Sequence, residues 1–81
     1  MYSVYILECT DGTLYTGIST NVAERFAKHQ AGKASRYTRS HQPVKIIYTE
    51  KAGTKSKALK REAQIKRMTR AEKIALCGKL V

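Results

Sequence analysis

The chain has 81 residues, 16 of them Lys or Arg against 6 Asp or Glu, for a net charge of +10. That is enough chain for one small domain with a single core; no apolar run approaches a membrane span and no signal peptide opens it, so a cytoplasmic protein without membrane contact is expected. Cys9 and Cys77 lack a second Cys or a His at ligand spacing, which argues against a disulfide framework or a zinc site and leaves two reduced thiols.

Tyr2 to Cys9 and Leu14 to Ile18 read as two strands around an Asp11-Gly12 turn. The loop length decides where their tyrosines point, because a one-residue slip moves every side chain to the other face. A two-residue loop would pair Tyr15 with Glu8 and send Tyr5 and Tyr15 to opposite faces. A three-residue Thr10-Asp11-Gly12 loop, a type I turn closed by a glycine bulge, pairs Cys9 with Thr13, Leu7 with Tyr15 and Tyr5 with Gly17. The second register gathers Val4, Ile6, Leu14 and Ile18 on one face, a core face. It leaves Tyr5, Tyr15 and Gly17 together on the other, with the glycine opening space beside a phenol. It is the expected one.

Asn21 with Glu24 starts a helix that runs to about Ala31 and stops at Gly32. Residues 32–43 form a basic loop closed by the only proline, and Val44 to Glu50 is a β-branched third strand. A second helix follows Gly53-Thr54 and reaches about Met68. Thr69 and Glu72 then cap a short third helix from Arg70 to Cys77, ending at Gly78. The order ββαβαα predicts an α+β domain with a small, mostly antiparallel three-stranded sheet flanked by helices.

The charge is uneven: no Lys or Arg precedes Arg25, so all sixteen lie beyond it. Such a field concentrates polyanions, and nucleic acid is the partner it suits. The loop interleaves Lys33, Arg36 and Arg39 with Tyr37, a mixture suited to clamping phosphates and stacking on bases. Arg25 and His29, one helical turn apart, sit at the edge of the stripe marked by Val22 and Phe26. Turns, caps and strand ends account for five of the six acids. Glu62 falls instead between Ala58, Leu59 and Ile65 in the apolar stripe of its helix. A carboxylate there needs a partner, either Lys66 one turn on or a hard cation such as Mg²⁺ held by one carboxylate and waters.

Val4-Tyr5, Tyr15-Thr16-Gly17, Arg25, His29 and Glu62 resemble, in order and spacing, the GIY-YIG nuclease domain over nearly the whole chain. The likeness is closest to small stand-alone bacterial members with similar "KYTR…PV" and "E..IK" stretches. Relatives of the family include homing endonucleases, restriction enzymes and a DNA-repair incision subunit. The resemblance implies Tyr5 or Tyr15 as general base or its helper and Arg25 as stabiliser of phosphate charge. It implies His29 as a tuning or relaying group, Gly17 as a close-approach glycine and Glu62 as ligand to one Mg²⁺ or Mn²⁺. The expected function is metal-dependent hydrolysis of DNA phosphodiester bonds, on single-stranded or branched forms, with DNA ahead of RNA as partner. A larger protein or a second copy would then supply specificity. The alternative is a nucleic-acid-binding domain that keeps the fold without cleaving. Many catalytic members carry an asparagine after the metal glutamate, and the only Asn here is Asn21, which favours the alternative; the retained Tyr, Tyr, Arg, His and Glu favour the enzyme.

Overall fold

The structure, a computed structural model, describes residues 1–78. Its frame is an antiparallel sheet of β1 (Tyr2–Cys9), β2 (Leu14–Ser19) and β3 (Pro43–Gly53), in the spatial order β2-β1-β3. The central strand β1 is buried on both faces: Val4, Ile6 and Leu7 are fully buried and Tyr5 nearly so. That is why its sequence reads as a run of large apolar residues rather than a strict alternation.

The hairpin takes the three-residue loop. Cys9 N–H bonds to Thr13 O and Gly12 N–H to Cys9 O, both at 2.9 Å, and Gly12 sits at φ +82°, where a side chain would be strained. Asp11 accepts from the Thr13 amide at 3.1 Å and from its hydroxyl at 2.7 Å, which stiffens the turn. Leu7 consequently lies opposite Tyr15, and Tyr5 opposite Gly17, as the hydrophobic sorting demanded.

On one face Val4, Ile6 and Tyr48 pack against Ala58 and Ile65 of α3 (Lys55–Lys66), with Leu14, Ile18 and the α4 (Arg70–Gly78) residues Leu76 and Cys77 around them. Thr16 also belongs to this face. It lies opposite Ile6, away from the tyrosines, and its buried Oγ1 has no hydrogen-bond partner among the described residues. Glu50 bonds the Tyr48 hydroxyl and accepts from Arg61 Nε at 2.9 Å, tying β3 to α3. On the other face lie Tyr5, Leu7 and Cys9; α1 (Val22–Gln30) crosses this face against β3 and β2 and sets His29 on Tyr5. The α1 cap is Asn21, whose side chain accepts from Glu24 N at 3.1 Å. The α4 cap is a complete capping box: Thr69 N–H donates to Glu72 at 2.8 Å, and Glu72 N–H to the Thr69 hydroxyl at 3.2 Å.

Three details depart from the sequence reading. The basic loop contains a five-residue helix, α2 (Arg36–Ser40), capped by the Ser35 hydroxyl, which accepts from Thr38 N at 3.1 Å. Strand β3 runs on to Gly53, past Glu50, because pairing with β1 as far as Tyr2 carries residues of low strand propensity along. Leu59 is 46% exposed and not part of the α3 stripe, which follows Ala58, Glu62 and Ile65 at the helical spacing of four and three.

Candidate active site

The sheet face beneath α1 brings two strands' tyrosines against one helix's histidine. Tyr5, from the middle of β1, is 2% exposed, and its Oη lies 2.7 Å from His29 Nε2. Tyr15 on β2 is half-buried and meets its neighbours through its ring: the ring centres are 6.4 Å from Tyr5 and 4.9 Å from His29. His29 faces inward from the last turn of α1 and is 1% exposed. Its other ring nitrogen, Nδ1, lies 2.7 Å from the hydroxyl of Thr38, itself fully buried on α2.

Gly17 is where the two phenols crowd the backbone. A Cβ there would come 2.5 Å from Tyr5 Oη, 2.7 Å from its Cζ and 3.2 Å from Tyr15 Cε2. The missing side chain is thus required by Tyr5 itself, before any ligand arrives.

The electrostatics separate the groups. Burial, and then the neighbouring Tyr15, push the Tyr5 hydroxyl well above the ordinary phenol range; the Arg25 charge opposes that rise and the Glu62 carboxylate adds to it. Burial, helped by Arg25, pushes His29 below the ordinary imidazole value, so it is neutral near pH 7. Arg25 and Glu62, exposed on α1 and half-buried on α3, are therefore both close enough to bias Tyr5. Burial raises the Cys9 thiol, the largest of its influences, so it is an inert thiol on the same face.

Glu62 has 18% of its side chain exposed and pairs with Lys66 at 3.4 Å, so the simpler of its two expected partners is present. Lys66 is itself 54% exposed and makes no second ion pair among the described residues, so the pair is a weak one. Among the described residues no three His, Cys, Asp or Glu side chains gather closely enough to cage a metal. Glu62 fits a Mg²⁺ or Mn²⁺ site of one carboxylate completed by water and substrate oxygens, and does not fit an all-protein cage.

Outside this centre, α2 presents the basic margin. Arg36, Arg39 and nearby Lys33 are exposed, and Tyr37 is 37% exposed. The Tyr37 ring stacks on Tyr15, centres 5.7 Å apart, and on His41 at 4.3 Å, while His41 Nδ1 lies 2.5 Å from Asp11 Oδ2. A line of rings thus runs from His29 through Tyr15 and Tyr37 to a histidine pinned by the hairpin turn. Sequence reasoning had singled out Tyr37 but neither Thr38 nor the Asp11–His41 clasp. The available signal was Ser35 three residues before Thr38, a helix-cap spacing inside what reads as loop.

The electropositive character of the exterior follows from the pairing of the acids. Each of the six Asp and Glu side chains has a partner within the chain: Glu8 with Lys45, Asp11 with His41, Glu24 with Lys28, Glu50 with Arg61, Glu62 with Lys66 and Glu72 with the Thr69 amide. The surplus cations face a solvent in which little acid remains to repel phosphate.

Comparison with known proteins agrees with this geometry. The profile of the GIY-YIG catalytic domain matches residues 1–75. A UPF0213 protein of Cupriavidus pinatubonensis is 54% identical over 77 residues, covering 95% of this chain and 86% of its own. One from Halobacterium salinarum is 49% identical over 76 residues, covering 94% of this chain and 99% of its own. The solution NMR structure of the UPF0213 protein BH0048 from Bacillus halodurans superposes with a TM-score of 0.60 at 39% identity, covering 96% of this chain and 84% of that one. With two tyrosines, a histidine and a glycine meeting on one sheet face, and the family profile spanning nearly its whole length, the chain belongs to the GIY-YIG family, alongside the UPF0213 proteins.

Proposed function

We propose that this protein is a metal-dependent endonuclease that hydrolyses DNA phosphodiester bonds, with single-stranded or branched DNA as the preferred form. GIY-YIG domains form a nuclease superfamily acting on nucleic acid, and that much comes with the family. The observation that carries the finer reading is the convergence of Tyr5, Tyr15 and His29, with the charges of Arg25 and Glu62 both felt at Tyr5.

The two phenols take different parts. Water must reach a general base, and Tyr15 is half-buried whereas Tyr5 is sealed at 2% exposure with its proton held more tightly than usual. Tyr15 is accordingly the base, and Tyr5 with His29 the coupled pair behind it. An ordinary phenol is only ~0.1% ionised at pH 7, a deficit of about 4 kcal/mol. A single nearby cation lowers a phenol's pKa by about 1–3. Arg25, whose charge is felt at Tyr5 and His29, is placed to neutralise a phosphate oxygen. A divalent cation on Glu62 would supply a charge of that kind and stabilise the leaving oxygen. The exposed Lys33, Arg36 and Arg39 on and beside α2 hold flanking phosphates.

A second reading, a binder that does not cleave, draws on one observation: the Lys66–Glu62 pair is what a purely structural glutamate makes. Purified protein incubated with labelled single-stranded, duplex and forked DNA in Mg²⁺, Mn²⁺ or EDTA divides the two. EDTA-sensitive product that disappears in Tyr15→Phe, with DNA binding kept, supports the nuclease. Binding without product on any substrate, at high protein concentration, supports the binder.

A further inference from the structure

Behind the tyrosines a buried run of hydrogen bonds crosses from the sheet through α1 to α2. Tyr5 Oη, His29 Nε2 and Nδ1, and Thr38 Oγ1 are linked at 2.7 Å and 2.7 Å, and Thr38 Oγ1 continues to Ser35 Oγ at 3.0 Å and to Ser35 O at 3.4 Å. Tyr5, His29 and Thr38 are 2%, 1% and 0% exposed, so solvent does not satisfy their protons.

A neutral imidazole carries one N–H and one lone pair, and the protons along the run can be placed in two ways. With the proton on Nε2, His29 donates to Tyr5 Oη. The Tyr5 O–H is then left without an acceptor among the described residues, a buried orphan costing about 1–3 kcal/mol. With the proton on Nδ1, every group is served. The Tyr5 O–H donates to Nε2, Nδ1–H donates to Thr38 Oγ1, and the Thr38 O–H turns to Ser35.

We propose that Thr38 is a positioning residue of this site: its hydroxyl accepts the Nδ1–H of His29 and so supports, together with the Tyr5 proton that needs Nε2, the tautomer whose Nε2 lone pair faces that proton. The consequence is orientational. Burial works against moving a proton from Tyr5 to His29, so Tyr5 stays a neutral donor aimed at Nε2 behind Tyr15. Thr38 holds the far side of the ring by accepting from Nδ1–H. Neither a valine nor an alanine at position 38 accepts that hydrogen bond; a serine does. The catalytic consequence rests on the nuclease reading, whereas the tautomer does not.

The test is the ¹⁵N spectrum of the His29 ring in the full chain, recorded beside cleavage kinetics. Wild type and Thr38→Ser should show the Nδ1–H tautomer alone, and Thr38→Val, in which either tautomer leaves one buried donor unserved, should shift to a mixture with Nε2–H. Wild type found in the Nε2–H form overturns the proposal, as does Thr38→Val that keeps the Nδ1–H tautomer unmixed. In the kinetics, Thr38→Val should lower kcat roughly 10–100-fold at unchanged KM, with Thr38→Ser restoring it; an unchanged kcat overturns the positioning role. Should wild type cleave nothing, the nuclease reading falls while the ring spectra still decide for or against Thr38. Should Thr38→Val fail to fold, Thr38→Ala, whose methyl likewise accepts nothing from Nδ1–H, carries the same decision.

Discussion

Replacing Gly17 with alanine tests what the second strand's glycine is for. Its Cβ would arrive 2.5 Å from Tyr5 Oη and 2.7 Å from Tyr5 Cζ, about 1 Å inside an ordinary contact. Neither partner yields easily. The Tyr5 ring is buried and tethered to His29 at 2.7 Å, and Gly17 is paired directly with Tyr5 in the ladder. Overpacking of this kind costs about 1–3 kcal/mol, and losing the buried hydrogen bond about 1–3 kcal/mol more. At about 4–8 °C per kcal/mol for a domain of this size, a cost of roughly 2–6 kcal/mol lowers Tm by roughly 8–48 °C. Thermal and urea unfolding followed by circular dichroism give the number. A cycle with Tyr5→Leu assigns it, since without the phenol the alanine should cost under about 1 kcal/mol. The reasoning has a sharp alternative, because Gly to Ala at an unstrained strand position is otherwise stabilising by roughly 0.5–1 kcal/mol. A Gly17→Ala protein as stable as wild type, or more so, would refute the crowding argument. The glycine would then be explained only by close approach of a substrate.

Two further outcomes follow from the charges. Burial and Arg25 hold His29 below its ordinary pKa, so the folded protein keeps it neutral while the unfolded chain protonates it near pH 6.5. Its contribution to stability is therefore complete above that pH and is lost as pH falls through the folded value. The urea midpoint should drop between pH 7 and pH 5 in wild type and drop less in His29→Gln; equal slopes in the two proteins would count against a buried neutral imidazole. Asp11 is held at about 2, first by the Thr13 hydroxyl, then by His41, then by the Thr13 amide. A carboxyl NMR titration should find the Asp11 pKa raised more by Thr13→Val than by His41→Ala, and the reverse order would mean that the clasp to His41, not the turn, sets it.

How far the site could be read from sequence depends on the distance over which each contact forms. The hairpin was legible because alternation is a local rule and only one register puts Val4, Ile6, Leu14 and Ile18 on a common face. Tyr5, Tyr15 and Gly17 then fell together without any tertiary information. Glu62 was legible as an inward position, since helical spacing alone sets it in line with Ala58 and Ile65. Leu59 was not separable from that stripe, because its fate depends on which way α3 lies across the sheet. The short α2 was hidden for a different reason. Five residues are far below the length at which a helix stands alone, so α2 exists through its Ser35 cap and its packing on α1, and its propensity says little.

His29 shows where the boundary lies. Its place on the inner edge of α1 follows from the chain, but an inward histidine is equally a packed ring, a ligand or a relay until its two nitrogens have partners. One partner comes from 24 residues before it, on β1, and the other from nine residues after it, through a helix that tertiary contacts create. Those two bonds make it a neutral ring with a defined acceptor side, not a surface base. The same two bonds join the strand bearing Tyr5 to the helix bearing Arg36, Tyr37 and Arg39. A nucleic acid held by the basic margin on α2, as proposed, would therefore bear on the element that orients His29, and binding and the orientation of the Tyr5–His29 pair would share one short physical connection.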